Sequence, residues 1–408
     1  MNVKLDTKKD FPMFSRLING RPLIYLDTAA TAHKPASVVE AVSDFYGKYY
    51  GTVFRTTYAL SQEASFKYCA VRDKIRNFLN AERSEEIVFM RGSTHAINIL
   101  ARSAVEELVP EGGCILLSDI EHHANVISWQ LAVKYRNIKI KQIMTDSEGF
   151  LLKDHLESLL KQGADFVSIP HISNVYGSIQ PLKEIAELVH KYGAFLCIDG
   201  AQGAPHVPVD VRDTNVDFYI FSGHKLYGPT GIGVLYGKYE LLDRLPPIEG
   251  GGDMVEVYDP ENIIFAKPPM KFEAGTPSIA SVHGLGAAID YVTSFGMDAI
   301  FAWERILVKK ALDLLSDFEG LHILGTLSPD RRGSLISFSI ENLHPFDVGL
   351  FLNNYGIALR TGNHCSQPAM LRAGLSHVSR ISFGIYNTEE DLDFFAQCLR
   401  EIVLSLKT

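Results

Sequence analysis

Little in this sequence is extreme, and each shortage excludes something. Cysteine is scarce and scattered: the five are Cys69, Cys114, Cys197, Cys365 and Cys398, with no pair at metal-ligand spacing. That argues against both a disulfide framework and a zinc ligand set. No apolar run approaches the roughly 20 residues that span a bilayer. Residues 1–16 lack the apolar block of a signal peptide, so a cytoplasmic protein is expected. No basic stripe stands out, and the net charge is −9, from 39 basic and 48 acidic residues. This balance argues against nucleic acid or an anionic membrane as the main partner. There is no internal repeat and no low-complexity tract.

What is present is size and alternation. The chain has 408 residues, 46% apolar and 21% charged, enough for two or three domains with large cores. Helices are expected at 37–49 and 62–80. From residue 86, strands at 86–90, 114–118, 138–144, 165–170, 194–198, 217–221 and 231–236 alternate with helices at 93–107, 125–135, 153–161 and 182–192. The strands are near-continuous apolar runs, as a largely parallel sheet covered on both faces requires. After about residue 290 the pattern changes to helix 297–318, strand 335–340, helix 345–355, loop 360–368, strand 380–385 and helix 389–406. The expected organisation is α/β: an arm over 1–24, a large domain over 25–290, and a smaller α+β domain over 291–408.

In an open α/β sheet, ligands bind beyond the carboxyl ends of the strands. After 86–90 come Gly92, Ser93 and Thr94, which open a helix and offer N–H groups and hydroxyls to a phosphate. A plain serine cap would read the same way. After 114–118 come His122 and His123, and after 165–170 comes Asn174. Asp199-Gly200-Ala201-Gln202 follows the fifth strand, and Ser222-Gly223-His224-Lys225 the sixth. A desolvated lysine amine deprotonates readily, and the free amine condenses with an aldehyde. Phosphate cradle, imidazole, acid, amide and lysine on one edge together suit pyridoxal phosphate, whose pyridine nitrogen is kept protonated by a carboxylate.

These stretches carry a family resemblance over nearly the whole chain. With Tyr25–Ala30, Glu121–Asn125, Phe272–Pro277 and Arg360–Cys365, the chain resembles the class V, fold-type I pyridoxal phosphate enzymes, and most closely the cysteine desulfurases of the SufS type, which are NifS-like and selenocysteine-lyase-like. The resemblance implies that Lys225 bonds the cofactor and moves the Cα proton, Asp199 pairs the pyridine nitrogen, and Gln202 meets the phenolic oxygen. It implies that His122 stacks on the ring, with His123 the weaker candidate, and that Ser93, Thr94, Ser222 and His224 hold the phosphate. Thr276 would reach the phosphate of a neighbouring subunit, so a homodimer with shared sites is expected. Asn174, Arg380 and Arg360 would surround the substrate carboxylate, for which a guanidinium is suited.

Cys365 decides the reaction in this reading. A thiol between His364 and Ser366, near Arg360, is placed to attack as thiolate. The resemblance implies L-cysteine as substrate, alanine and a Cys365 persulfide as products, and a SufE- or SufU-like acceptor protein serving iron–sulfur cluster assembly. Selenocysteine lyase or cysteine-sulfinate desulfinase on the same scaffold is the alternative, and a non-catalytic binding protein of the same fold a more distant one. The chain departs from the family at Phe54–Tyr58, where two histidines and a glycine are replaced, at His95, where an acid is common, and at Asn363, where histidine is frequent.

Overall fold

The structure is a computed structural model that describes residues 4–407; the first three residues of the arm expected at 1–24, and Thr408, lie outside the described residues. Among the described residues there are twelve α-helices: α1 (Ala36–Lys48), α2 (Ala59–Leu79), α3 (Ser93–Glu107), α4 (His123–Ala132), α5 (Lys153–Lys161), α6 (Leu182–Lys191), α7 (Tyr239–Arg244), α8 (Ile279–Phe295), α9 (Met297–Ser316), α10 (Pro345–Asn354), α11 (Gln367–Ala373) and α12 (Glu389–Lys407). Seven strands build the main sheet: β1 (Ile87–Met90), β2 (Cys114–Ser118), β3 (Lys139–Ile143), β4 (Phe166–Pro170), β5 (Phe195–Asp199), β6 (Phe218–Ser222) and β7 (Gly233–Gly237). Their order is β1-β7-β6-β5-β4-β2-β3, and β7 runs antiparallel to both neighbours while the other pairings are parallel.

Both faces of this sheet are covered, and alternate residues of one strand enter different cores. Leu196 and Ile198 of β5 join a cluster with Ile75 and Ile289. Cys197, between them, joins a cluster with Leu100 and Trp129. Strand β7 sits in register with Gly233 opposite both Met90 and Ser222. A Cβ on Gly233 would lie 2.5 Å from the Gly92 Cα. That bare position lets the chain leaving β1 approach the chain leaving β6, and so brings Ser93 beside Ser222.

A second, antiparallel sheet contains β8 (Leu321–Ile323), β9 (Leu335–Ile340), β10 (Arg360–Gly362) and β11 (Val378–Ser382), in the order β8-β9-β11-β10. Its core joins Leu307, Phe338, Ile381 and Leu399 to Ile24 and Leu26 from the start of the chain. Ile24 and Tyr25 pair in parallel with Ile357 and Ala358, and Asp27 bridges to Ser382. The 24–27 segment therefore runs beside the second sheet before the chain enters the main one.

Several elements differ from the sequence expectation, α7, α8, α11, β8 and β10 among them. The 360–368 segment, read as loop, contains the three-residue strand β10 and the start of α11; so short a strand gives no periodicity to read. Helix α8 was not anticipated because Gly284 and Gly286 weaken its helical pattern. Close packing explains both glycines: a Cβ at Gly284 would lie 2.4 Å from Pro229 Cγ, and one at Gly286 2.6 Å from Val71 Cγ2.

An ion pair buried beneath β1 ties the Glu273–Thr276 stretch to the sheet. Arg72 donates to Glu273 through two nitrogens, at 2.8 and 2.9 Å, and Glu273 also accepts the Phe89 N–H and the Tyr68 hydroxyl. Glu273→Ala would leave a buried guanidinium unpaired and is expected to cost about 3–5 kcal/mol in urea denaturation. The double replacement Arg72→Met with Glu273→Leu should lose distinctly less; equal losses would show that the pair is not the anchor.

Candidate active site

The carboxyl ends of β1, β2, β4, β5 and β6 open on one cavity of about 190 Å³. Its wall includes Ser93, Thr94, His122, Asn174, Asp199, Gln202, Ser222, His224, Lys225, Arg360 and Arg380. Eleven of the thirteen residues singled out from the sequence thus meet there. Thr276 does not; it is exposed, in a separate groove with Arg91, His95 and Glu249. Cys365 is not part of the wall either, but its sulfur lies 3.6 Å from Nη2 of Arg360, which is.

Lys225 follows β6 in a single 3-10 turn. The turn is fixed by the His224 carbonyl, which accepts from the Ala32 N–H, the Thr31 hydroxyl and Lys34 Nζ. Burial pushes the Lys225 amine down to about 8; Asp199 opposes the shift, and Arg380 and Arg360 add to it. Asp199 ends β5 and accepts the Ala201 N–H at 3.0 Å, while burial lifts its carboxyl above the usual range. Gln202 donates through Nε2 to the Ala29 carbonyl at 2.7 Å, and its buried Oε1 has no hydrogen-bond partner.

His122 caps α4: its Nδ1 accepts the Ala124 N–H at 3.1 Å. Burial, with Lys225 and other cations nearby, pushes the ring down to about 3. It is neutral near pH 7, with its proton on Nε2. Beneath it, Glu121 is fully buried and accepts from Ser118 and Asn125, and burial lifts its carboxyl to about 8. The sequence pattern assigns Glu121 no role. Its buried neighbours are a product of the fold and leave no local signal.

At the N-terminus of α3, first-turn N–H groups lack intrahelical partners and the dipole is positive. The Ser93 N–H donates to Ser222 Oγ at 2.8 Å, and the two hydroxyls are also 2.8 Å apart. The ensemble can receive a small dianion, with Thr94 and His224 on the same wall.

On the opposite wall the register of β10 and β11 sets Arg360 directly across from Arg380. Like charges across an antiparallel pair are unfavourable. Arg380 is 1% exposed, and burial pushes it down to about 10 while Asp27 opposes that shift. It donates to Asp27 and to the Asn174 carbonyl, and its Nε is buried without a partner. Two adjacent guanidiniums favour an anion between them.

The loop carrying Cys365 is fastened to the main sheet. His364 and Cys365 both have left-handed backbone, φ +53° and +56°. The Cys365 N–H donates to Asn363 Oδ1 at 3.0 Å. Asn174 donates through Nδ2 to the His364 carbonyl and accepts the Ser366 hydroxyl at Oδ1. Its amide therefore holds the loop through one donor and one acceptor bond. Tyr176 packs with Ile120 and Val175 against Ala369 and Met370 of α11. The departures at Phe54–Tyr58 lie away from the cavity, where Arg55 pairs with Asp253.

Comparison with known proteins gives a consistent result. Residues 24–395 match the family described as Aminotransferase class-V. A protein of Chlamydia trachomatis serovar D, described as a probable cysteine desulfurase, is 46% identical over 406 residues, 99% of this chain and 100% of that protein. A cysteine desulfurase of Dickeya dadantii is 42% identical over 97% of this chain and 95% of its own length. Among solved structures, the apo cysteine desulfurase of Thermococcus onnurineus NA1 superposes with a TM-score of 0.93 at 34% identity, covering 98% of each chain. The Escherichia coli cysteine desulfurase CsdA gives 0.89 at 36% identity, covering 97% of each.

The Lys225 amine is expected to react with a small aldehyde, trapped by borohydride, at a rate rising about tenfold per pH unit until about pH 8 and level above it. A midpoint near the ordinary lysine value would show that burial does not act on it.

Proposed function

The chain belongs to the aminotransferase class-V family and is a cysteine desulfurase, and from that premise we propose that it uses pyridoxal phosphate to move sulfur from L-cysteine to Cys365, leaving L-alanine. The observation that carries this reading is the meeting of a lysine shifted toward its free amine, a strand-end aspartate and a thiol loop at the same strand ends. When bound, pyridoxal phosphate supplies an aldehyde for the amine and an electron sink next to the amino acid's Cα.

The residues present fit that group. The α3 N-terminus with Ser93, Thr94, Ser222 and His224 would hold the phosphate, Asp199 the pyridine nitrogen, and Gln202, through its unpartnered Oε1, the phenolic oxygen. His122 would lie on the ring face and keep a proton at Nε2. Thr276, exposed and outside its own cavity, would serve the phosphate of a neighbouring copy in a homodimer. We read residues 25–290 as the cofactor-binding unit, 291–408 as the unit that carries the thiol, and 1–24 as an arm packed on it.

In this reading Arg360 and Arg380 bind the substrate carboxylate, which relieves their mutual repulsion and fixes the Cα beneath Lys225. Asn174, on the same wall, would join them through the Nδ2 proton it does not give to the loop. The Lys225 amine takes the Cα proton. The Cys365 thiolate attacks the substrate sulfur, forming the S–S bond as the substrate Cβ–S bond breaks; the electron pair stays with Cβ, which takes a proton, and the Cα regains its proton from Lys225 to complete alanine. The SufS-type motifs support a further step, transfer of the sulfane sulfur to a SufE- or SufU-like acceptor for iron–sulfur cluster assembly. No helix among the described residues is long and apolar enough to cross a membrane. The unpaired cysteines suit a reducing, cytoplasmic setting.

Cys365→Ala should keep the visible spectrum of the cofactor-loaded protein and lose alanine formation from L-cysteine by about a hundredfold or more. Retained turnover in this variant would refute the role of Cys365.

A further inference from the structure

The two adjacent histidines at the start of α4 do different work. His122 caps its own helix. His123 reaches across to the thiol loop and touches it twice. Its backbone N–H donates to the Cys365 carbonyl at 2.7 Å. Its ring Nε2 accepts the Gln367 N–H at 3.1 Å. Gln367 is the first residue of α11, and an N–H at that position has no acceptor within its own helix. His123 is therefore an N-cap supplied from another element. This role requires Nε2 to be unprotonated, with the ring proton on Nδ1.

The backbone around the sulfur makes such support consequential. Two successive non-glycine residues, His364 and Cys365, stand in the left-handed region. Such backbone persists where its surroundings over-determine it. Asn363 and Asn174 hold the loop on the N-terminal side of the sulfur and at Ser366. His123 holds Cys365 itself and the residue two further on.

We infer that His123 is a positioning residue for the Cys365 thiol: it caps α11 through Nε2 while its amide grips the Cys365 carbonyl, so the sulfur is held at a fixed height beside Arg360. The inference rests on the reading of Cys365 as the sulfur acceptor. It predicts that the ring acts through its acceptor atom and leaves binding of the substrate at the arginines alone.

The experiment compares wild type, His123→Leu, His123→Ser, His123→Gln and Cys365→Ala as cofactor-loaded enzymes turning over L-cysteine. His123 is half-buried, and each substitution keeps the backbone bond. Leucine and serine should lower kcat about tenfold or more, with KM within about twofold and the visible spectrum unchanged. Glutamine, whose Oε1 can accept the same N–H, should recover kcat to within about threefold of wild type. A wild-type kcat in both His123→Leu and His123→Ser, or a glutamine variant as slow as leucine, would overturn the positioning role. If Cys365→Ala turned over cysteine, the thiol reading itself would fall; if that variant is dead and His123→Leu and His123→Ser are fully active, the positioning role alone is wrong.

Discussion

The site depends on one junction, where a loop of the second sheet is seated on strand ends of the first. The amide of Asn174, beyond β4, holds the His364 carbonyl and the Ser366 hydroxyl. The amide of His123, beyond β2, holds the Cys365 carbonyl. Left-handed backbone at a non-glycine residue costs on the order of 1–3 kcal/mol, and His364 and Cys365 both adopt it. These bonds and the apolar pad of Ile120, Val175 and Met370 offset that strain. Without the junction, the thiol and the lysine would belong to separate surfaces.

Burial then sorts the ionisable groups. Lys225 and His122 are pushed toward their neutral forms, and Glu121 and Asp199 are lifted toward theirs. The guanidiniums of Arg360 and Arg380 remain the cationic pair, set opposite each other by the register of β10 and β11. A cavity that disfavours charge but presents two arginines is selective for a ligand carrying its own anion. The free lysine amine and the arginine pair are thus two consequences of the same desolvation.

Much of this was legible in the chain because its signals are local. The inner strands are apolar throughout, as burial on both faces demands, and Asp199 and Lys225 sit at or just past strand ends by simple sequence distance. The unread parts depend on contacts between distant segments. Helix α8 carries Gly284 and Gly286, which answer to Pro229 and Val71 and not to helix propensity. Nothing local distinguishes His122 from His123; they part because one caps α4 and the other α11. The second engagement of Asn174, its grip on a loop some 190 positions away, leaves no trace nearby.

The central claim is that the junction delivers the Cys365 sulfur to the substrate's sulfur. A single turnover of the cofactor-loaded protein with L-cysteine, without thiol reductant, tests it by following alanine together with peptide masses. The account predicts that alanine appears in step with a Cys365 peptide heavier by one sulfur atom. Alanine formed while that peptide keeps its mass, or with the added sulfur on another cysteine, would contradict it.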